Sequence, residues 1–125
     1  MPTSLKFILV DYQNIQNLAG LKQLGESVVC EMFIDHKRKI SPEQFEEFKY
    51  ATTRWHVVRH PGRNAADFRI VFRLRELLYE FDEFYVLSRD TDFDSIIDFV
   101  LTDERFAGKR IKRIENLSEA NFHKN

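Results

Sequence analysis

The sequence predicts an α/β fold, built as one three-layer α/β/α domain around a mainly parallel sheet of about five strands. Compact apolar runs, typical of strands buried on both faces, alternate with segments whose apolar residues recur at helical spacing. Strands that alternate with helices are joined by right-handed crossovers, which leaves a parallel sheet covered on both sides. The 125 residues contain no repeat or internal linker. We therefore expect a single domain over 1–125, with a core of about 5–117 and a C-terminal tail over 118–125.

The predicted strands are short runs that end at polar or turn-forming residues. The first ends abruptly at Asp11, and the fourth ends where an acid-rich segment, 88–94, begins. The last is basic and is placed at an edge of the sheet, where positive charge discourages pairing with another chain. The five predicted strands are 5–10, 27–34, 55–59, 84–87 and 109–117.

Four helices are predicted between these strands. The first is capped by Asn14, and the second begins at Ser41 and Pro42, because proline favours the first helical position. The longest helix covers 65–80, and the fourth follows Thr91. The apolar side of the longest helix is predicted to combine Phe68, Val71, Phe72, Leu74, Leu77 and Leu78. Its solvated side is predicted to carry Arg69, Arg73, Glu76 and Glu80.

The charged residues are nearly balanced in number but segregated along the chain. The formal net charge is −1, with acids at 90, 92, 94 and 98 and bases at 59–75 and 109–113. Local patches attract phosphates, so the balance does not exclude a polyanionic partner. The single cysteine, Cys30, can form no internal disulfide and is predicted to be a buried structural thiol. With no secretory or membrane-spanning pattern, we expect a cytoplasmic protein.

Acidic residues follow two of the predicted strands and begin the longest helix. Asp11 directly follows the first strand, and Asp90 and Asp92 occupy the turn after the fourth. Ligands of an open parallel sheet bind at the carboxyl ends of strands, where the strand order reverses. Asp67 lies on the helix side predicted to face the sheet, where an acid needs a partner. Crowded carboxylates repel unless a cation lies among them, so these four acids predict a site for Mg²⁺ or Mn²⁺.

Three motifs in these segments resemble a known family. The segment 10–14, VDYQN, resembles the DxxN opening of the NYN branch of PIN-like nucleases. The segment 64–68, NAADF, is similar to the Asn/Lys-x-x-Asp-Phe segment of that branch. The segment 87–93, LSRDTDF, closely resembles its Ser-x-Asp-x-Asp-Phe signature. The order and spacing of the motifs match, and the resemblance covers about 7–101.

The resemblance implies a PIN-like (Rossmann-like) sheet and an endoribonuclease that depends on one or two Mg²⁺ or Mn²⁺ ions. Cleavage of RNA would leave a 5′-phosphate and a 3′-hydroxyl. The acidic positions of the family match Asp11, Asp67, Asp90 and Asp92, which would hold the metal, with Asn14 and Ser88 as supporting polar groups. Arginines near the acids would bind the RNA backbone, and Tyr12 would stack a base. The expected substrate-binding residues are Tyr12, Arg59, Arg63, Asn64, Arg69 and Arg89.

Other interpretations stay open at this point. Asp90 or Thr91 before a helix is ordinarily a cap, and for Asp94 capping and the helix dipole are favoured over metal binding. The basic segment 109–113 is either a sheet edge or an RNA-facing patch. The main alternative function is a PIN-like module that binds RNA or a protein without cutting. The resemblance also leaves open a toxin with its antitoxin, an RNA-processing factor, another protein partner and a homodimer, whereas no membrane association is expected.

Overall fold

A computed structural model of the chain describes residues 5–12, 24–25, 27–35, 37, 40, 42, 52–59 and 64–119. These residues contain five strands and two α-helices. The strands are β1 (Lys6–Asp11), β2 (Val28–Asp35), β3 (Thr52–Val58), β4 (Glu83–Leu87) and β5 (Arg110–Ile114). The helices are α1 (Ala65–Leu77) and α2 (Asp92–Leu101), and a short 3-10 helix covers Leu117–Glu119.

The five strands form one sheet in the order β3-β2-β1-β4-β5, and every pair of neighbours is parallel. The chain builds outward from β1 through β2 to β3, returns through α1 to β4, and continues to β5. The strand order therefore reverses between β1 and β4, which is where an open sheet of this kind binds its ligands. The predicted single α/β domain with a five-stranded parallel sheet is confirmed, and the last strand lies at a sheet edge as expected.

The sheet is buried on both faces, and the alternation along β1 shows how. Ile8 and Val10 belong to one core cluster, whereas Phe7 and Leu9 belong to the other. The second cluster lies beneath α1 and α2 and includes Ile70, Leu74 and Leu77 of α1 together with Phe93 and Ile97 of α2. A strand that packs on both faces needs apolar residues at nearly every position, which explains why the predicted strands were uninterrupted apolar runs.

The longest helix differs from its prediction in length and in orientation. It ends at Leu77, and Leu78–Glu80 form a turn, so the predicted end at Glu80 is wrong. Phe68 and Phe72 are exposed, although they were predicted to be apolar core residues. Apolar residues occur on more than one side of this helix, so periodicity alone did not identify the buried stripe. The residues of the helix that are buried are Ala66, Ile70, Leu74 and Leu77.

Smaller differences concern the strand boundaries and the other helices. β3 begins at Thr52 instead of residue 55, and β5 ends at Ile114, so the predicted end at 117 is wrong. The predicted first helix, and nearly all of the one that begins at Ser41, lie outside the described residues. No helix in the described part of the chain is long and apolar enough to pass through a bilayer.

A buried acid, Glu31, joins β2, β3 and α1. Arg73 of α1 donates from Nε to Glu31 Oε1 (2.7 Å) and from Nη2 to Oε2 (3.0 Å), so the prediction that Arg73 is solvated is wrong. His56 Nε2 of β3 is 2.7 Å from Glu31 Oε1, and the His56 ring stacks on Phe33. Burial would raise the pKa of Glu31, but the hydrogen bonds from Arg73 and His56 outweigh it and hold the pKa below its usual value.

The pKa of Cys30, the residue before Glu31, is shifted in the other direction. Cys30 is buried, and burial raises the pKa of its thiol to about 12. The thiol is therefore protonated at neutral pH and is a poor nucleophile. The prediction of a buried structural thiol is confirmed.

Candidate active site

Asp11 is the last residue of β1 and lies next to the end of β4. Val10 is in register with Leu87, which places Ser88 directly beyond the paired segment. The Ser88 hydroxyl donates to Asp11 Oδ2 at 3.3 Å, across 77 residues of sequence, and both side chains are buried. By strand alternation, Asp11 lies on the sheet face of Phe7 and Leu9, which α1 covers. The Asp11 carboxylate is therefore oriented by a serine at the point where the strand order reverses.

The turn after β4 is held by its own side chains. The Asp90 N–H donates to Ser88 Oγ (3.0 Å), and the Asp92 N–H donates to Asp90 Oδ1 (2.9 Å). Asp90 and Thr91 were the two candidate caps of α2. Thr91 makes no side-chain capping bond, whereas the Asp90 carboxylate accepts from a backbone N–H in the first turn. The Ser88 hydroxyl links this turn to Asp11. Capping and participation in an acidic site are therefore compatible for Asp90.

Asp67 meets these acids from the first turn of α1. Asn64 precedes the helix in a left-handed conformation (φ 66°), which is an uncommon conformation that asparagine tolerates. Burial raises the pKa of Asp67 to about 7, helped by a hydrogen bond to Asp90 and by the negative charges of Asp11, Asp90 and Asp92. A hydrogen bond between two carboxyl groups requires one shared proton. The fold thus brings together four carboxyl groups from three separate segments.

The chemistry of these four groups suits a divalent cation better than their arrangement does. Four carboxyl groups with a nearby hydroxyl are the oxygen donors that Mg²⁺ and Mn²⁺ prefer. Besides burial, the negative charges of Asp11, Asp90 and Asp92 raise the pKa of Asp67, and a divalent cation would relieve this repulsion. Within the described residues, however, no three or more His, Cys, Asp or Glu side chains already have an arrangement that could hold an ion. The donor chemistry fits a divalent cation, and the ligand geometry is not preformed.

The predicted substrate-binding residues have different surroundings. Arg59 follows β3, Arg69 lies on α1 and Arg89 lies in the turn after β4, and all three side chains are exposed. Asn64 is exposed as well, and it makes no side-chain capping bond. The predicted residues Arg63 and Asn14 lie outside the described residues.

Tyr12 requires a correction. Its side chain is fully buried in the core cluster of Ile8 and Val10, so its ring has no face to offer an RNA base. Residue 12 has the parity of Ile8 and Val10, so strand alternation turns it away from the face on which Asp11 lies. The prediction that Tyr12 stacks a base is therefore wrong.

An ion pair beside this turn, between Asp94 and Arg113, was not predicted. Asp94 forms an ion pair with Arg113 of β5, at 2.9 Å from Oδ1 to Nε. Asp94 lies in the first turn of α2, where its charge also suits the helix dipole as predicted. Arg113 had been treated as one member of a basic edge strand. The alternation of exposed and buried residues along β5 gives no signal for its contact with the turn.

A family model described as "PIN domain" matches residues 5–114. The chain belongs to the PIN-domain family. PIN domains are usually nucleases, commonly metal-dependent ones, which indicates a nuclease-like role for this chain and RNA as the substrate class. The match is to the PIN domain as a whole, so the NYN branch stays a prediction. No curated protein and no solved structure matches the chain.

Proposed function

We propose that this PIN-domain protein is a divalent-metal-dependent endoribonuclease of the NYN branch. The observation that carries the proposal is the convergence of Asp11, Asp67, Asp90 and Asp92 at the reversal of strand order. Burial, a hydrogen bond to Asp90 and the negative charges of the other acids raise the pKa of Asp67 to about 7, which is a condition typical of functional sites. The NYN assignment is supported by the three motifs, whose acids are these same four residues.

Each residue has a defined part in this proposal. Asp11, Asp67, Asp90 and Asp92 are the residues that hold Mg²⁺ or Mn²⁺. When bound, such a cation neutralises charge on the scissile phosphate and acidifies a water molecule for in-line attack. Ser88 orients Asp11 through its hydroxyl. The exposed Arg59, Arg69 and Arg89 bind the RNA backbone by charge, so affinity is expected to fall with salt.

The experiment that tests this proposal compares charge-neutralised acids. We expect Asp11→Asn and Asp90→Asn to lose more than about a hundredfold in cleavage rate, because even residues that only support metal ligands cost about 10–100-fold. Cleavage of labelled single-stranded RNA is measured in Mg²⁺, in Mn²⁺ and in chelator. Asp98→Asn is the matched control, since Asp98 is an exposed acid on α2. An Asp11 or Asp90 variant that is folded and cuts at the parental rate contradicts the proposal.

A second candidate function is a PIN-like module that binds RNA or a protein without cutting it. It is favoured by one observation, that the described residues contain no ready-made group able to hold an ion. The same assay separates the two functions. RNA binding by the parent, without cleavage in either metal, supports the module, whether its cellular role is that of a toxin or of an RNA-processing factor in the cytoplasm.

An exposed apolar face between α1 and α2 bears on the oligomeric state. Its four large side chains, Phe68, Phe72, Tyr79 and Phe99, are 62%, 73%, 59% and 79% exposed. The three phenylalanines line a groove of about 620 Å³. An aromatic side chain presents about 150–250 Å², so these four leave about 500 Å² uncovered in each copy.

We propose that a second copy of the chain covers this face. A standard interface buries about 800 Å² per partner, so these four side chains would supply more than half of it. The charged residues that line the groove, Arg75 and Asp103, have opposite signs, so two copies carry no like-charge barrier there. Because the exposed rings and the groove belong to the same face, the contact is self-complementary, as two-fold symmetry requires.

The oligomeric state in solution tests this interface. Light scattering during size exclusion is expected to give a dimer for the parent and a monomer for Phe72→Glu and Phe99→Glu. Val57→Glu is the control and stays dimeric, because Val57 is an exposed apolar residue of β3 outside the face. A parent that is monomeric at its highest soluble concentration contradicts the dimer and leaves the face to another protein, such as an antitoxin.

A further inference from the structure

A single arginine contacts both ends of the turn that carries two of the four acids. Arg113 lies in β5 and is in register with Val86 of β4. Its Nη1 donates to the carbonyl oxygen of Ser88 (3.1 Å), and its Nε donates to Asp94 Oδ1 (2.9 Å). Nη1 also donates to Glu115 Oε2 (3.0 Å), just beyond the strand. Residues 88 and 94 delimit the turn, so one guanidinium attaches both of its ends to the neighbouring strand.

We propose that Arg113 is a positioning residue of the candidate active site, which holds the turn 88–94 against β5 and so sets where Asp90 and Asp92 lie. This inference rests on the proposed function, which assigns those two acids to the metal. The bonds from the Asp90 and Asp92 N–H groups stay within the turn, so they shape it without attaching it to the sheet. The hydrogen bonds that attach it to the sheet, within the described residues, are those from the Ser88 hydroxyl to Asp11, from the Ser88 N–H to the Ile114 carbonyl and from the side chain of Arg113.

Arg113 also controls a fifth negative charge near the site. Asp94 follows Asp92 by two residues in the first turn of α2. Paired with Arg113, its carboxylate is compensated and held at β5. Without Arg113, that charge would add to the repulsion among the four acids and would pull the start of α2 out of position. A guanidinium suits this task because its planar set of donors reaches several acceptors at once, which a lysine ammonium cannot match.

The other interpretation of β5, an RNA-facing patch, fits Arg110 better than Arg113. The side chain of Arg110 is 74% exposed and lies 3.8 Å from Glu83, at the other end of the strand. The side chain of Arg113 is only 14% exposed, and its donors are directed at protein oxygens. A phosphate contact would require these bonds to break.

The experiment compares Arg113→Ala and Arg113→Lys with Arg110→Ala as the matched control. Three quantities are measured: Mn²⁺ affinity by calorimetry, amide hydrogen exchange of Asp90 and Asp92 in chelator, and kcat and KM on single-stranded RNA. For Arg113→Ala we expect an affinity for Mn²⁺ lower by about 10–100-fold, faster exchange at both amides, and a lower kcat with an unchanged KM. Arg113→Lys keeps the charge and is expected to recover part of each loss. Arg110→Ala leaves Mn²⁺ affinity and amide exchange unchanged.

Two outcomes overturn the proposal. If Arg113→Ala raises KM and leaves kcat, Mn²⁺ affinity and exchange unchanged, Arg113 is an RNA-binding residue. If Arg113→Ala does not fold, Asp94→Asn decides instead, because Asp94 is exposed and Arg113 keeps its bonds to Glu115 and to the Ser88 carbonyl. Unchanged exchange at Asp90 and Asp92 in that variant overturns the proposal. A parent that neither binds Mn²⁺ nor cuts RNA contradicts the proposed function alone, and amide exchange still decides whether Arg113 positions the turn.

Discussion

Glu31 of β2 and Asp67 of α1 lie on the same side of the sheet, and their pKa values are shifted in opposite directions. In the middle of β2, Glu31 is fully buried, yet its pKa lies below the usual value because Arg73 and His56 compensate it. In the first turn of α1, Asp67 is less buried, yet its pKa is raised to about 7 by burial and by three other carboxyl groups. Burial acts in the same direction on both, so the charges beside each carboxyl group decide the sign: Arg73 and His56 lower the pKa of Glu31, and other carboxyl groups raise that of Asp67.

This difference separates a structural acid from a candidate functional one. Glu31 has its counter-ion built into the protein, and its pair with Arg73 joins a strand to a helix 42 residues away in sequence. The groups that raise the pKa of Asp67 beyond the effect of burial are the carboxyl groups of Asp11, Asp90 and Asp92. A site that binds a cation must leave negative charge uncompensated by its own side chains, and it does so at the expense of stability.

The largest expected effect on stability comes from removing the compensated acid. Glu31→Gln leaves Arg73 without its counter-ion, and breaking a buried ion pair in this way costs about 3 kcal/mol or more. The free energy of unfolding in urea measures the effect. Glu76→Gln is the control, because Glu76 is an exposed acid 3.7 Å from Arg73 and is expected to cost less than about 1 kcal/mol. Equal stability of the parent and Glu31→Gln would show that the pair contributes nothing.

The second effect is on pH dependence, because the contribution of Glu31 to the free energy of unfolding is expected to change in the acid range. Because the folded pKa of Glu31 is lowered, its contribution is complete above the unfolded value near 4.3 and is lost as the pH falls through the folded value. The gap in stability between the parent and Glu31→Gln is therefore expected to narrow as the pH is lowered from neutral into this range. Urea unfolding at a series of pH values measures the gap, and a gap that stays constant contradicts the assignment.

The smallest expected effect is the pH dependence of stability that Asp67 causes, and its sign is opposite to that of Glu31. Its folded pKa of about 7 lies above the unfolded value near 3.9, so the folded protein keeps a proton that the unfolded chain releases. Stability attributable to Asp67 is thus present at low pH and is lost as the pH rises from about 4 to 7. In chelator, Asp67→Asn is expected to gain Tm relative to the parent across this range, whereas Asp98→Asn does not. Parallel pH profiles for the parent and Asp67→Asn would contradict this.

Much of the candidate site could be predicted because it depends on rules that apply to any parallel sheet. Asp11 ends β1 and Asp90 lies in the turn after β4, and the carboxyl ends of parallel strands lie at one edge. Their proximity therefore required only that β1 and β4 be neighbours. Asp67 was predictable from its side of the helix. Tyr12 was predicted wrongly, although strand alternation alone would have turned it to the opposite face from Asp11.

The contacts that long-range packing decides were not predictable. Arg73 was predicted on the same side of the helix as Glu76 and Glu80, both of which are exposed. Only the position of α1 over β2 brings Arg73 to Glu31. The contact between Arg113 and the turn after β4 depends on the register of β4 and β5. Phe68 and Phe72 satisfied the helical pattern for a core, but the rotation of α1 on the sheet leaves them exposed.

By itself, the sequence determined the elements, their parallel arrangement and the edge at which the acids would lie, because periodicity, apolar runs and strand ends are local properties. Only the tertiary structure decided which charges are compensated. Whether an acid meets an arginine or another acid depends on the rotation of a helix and the register of two strands. Those are set by the packing of the whole core, which no short segment of the chain specifies.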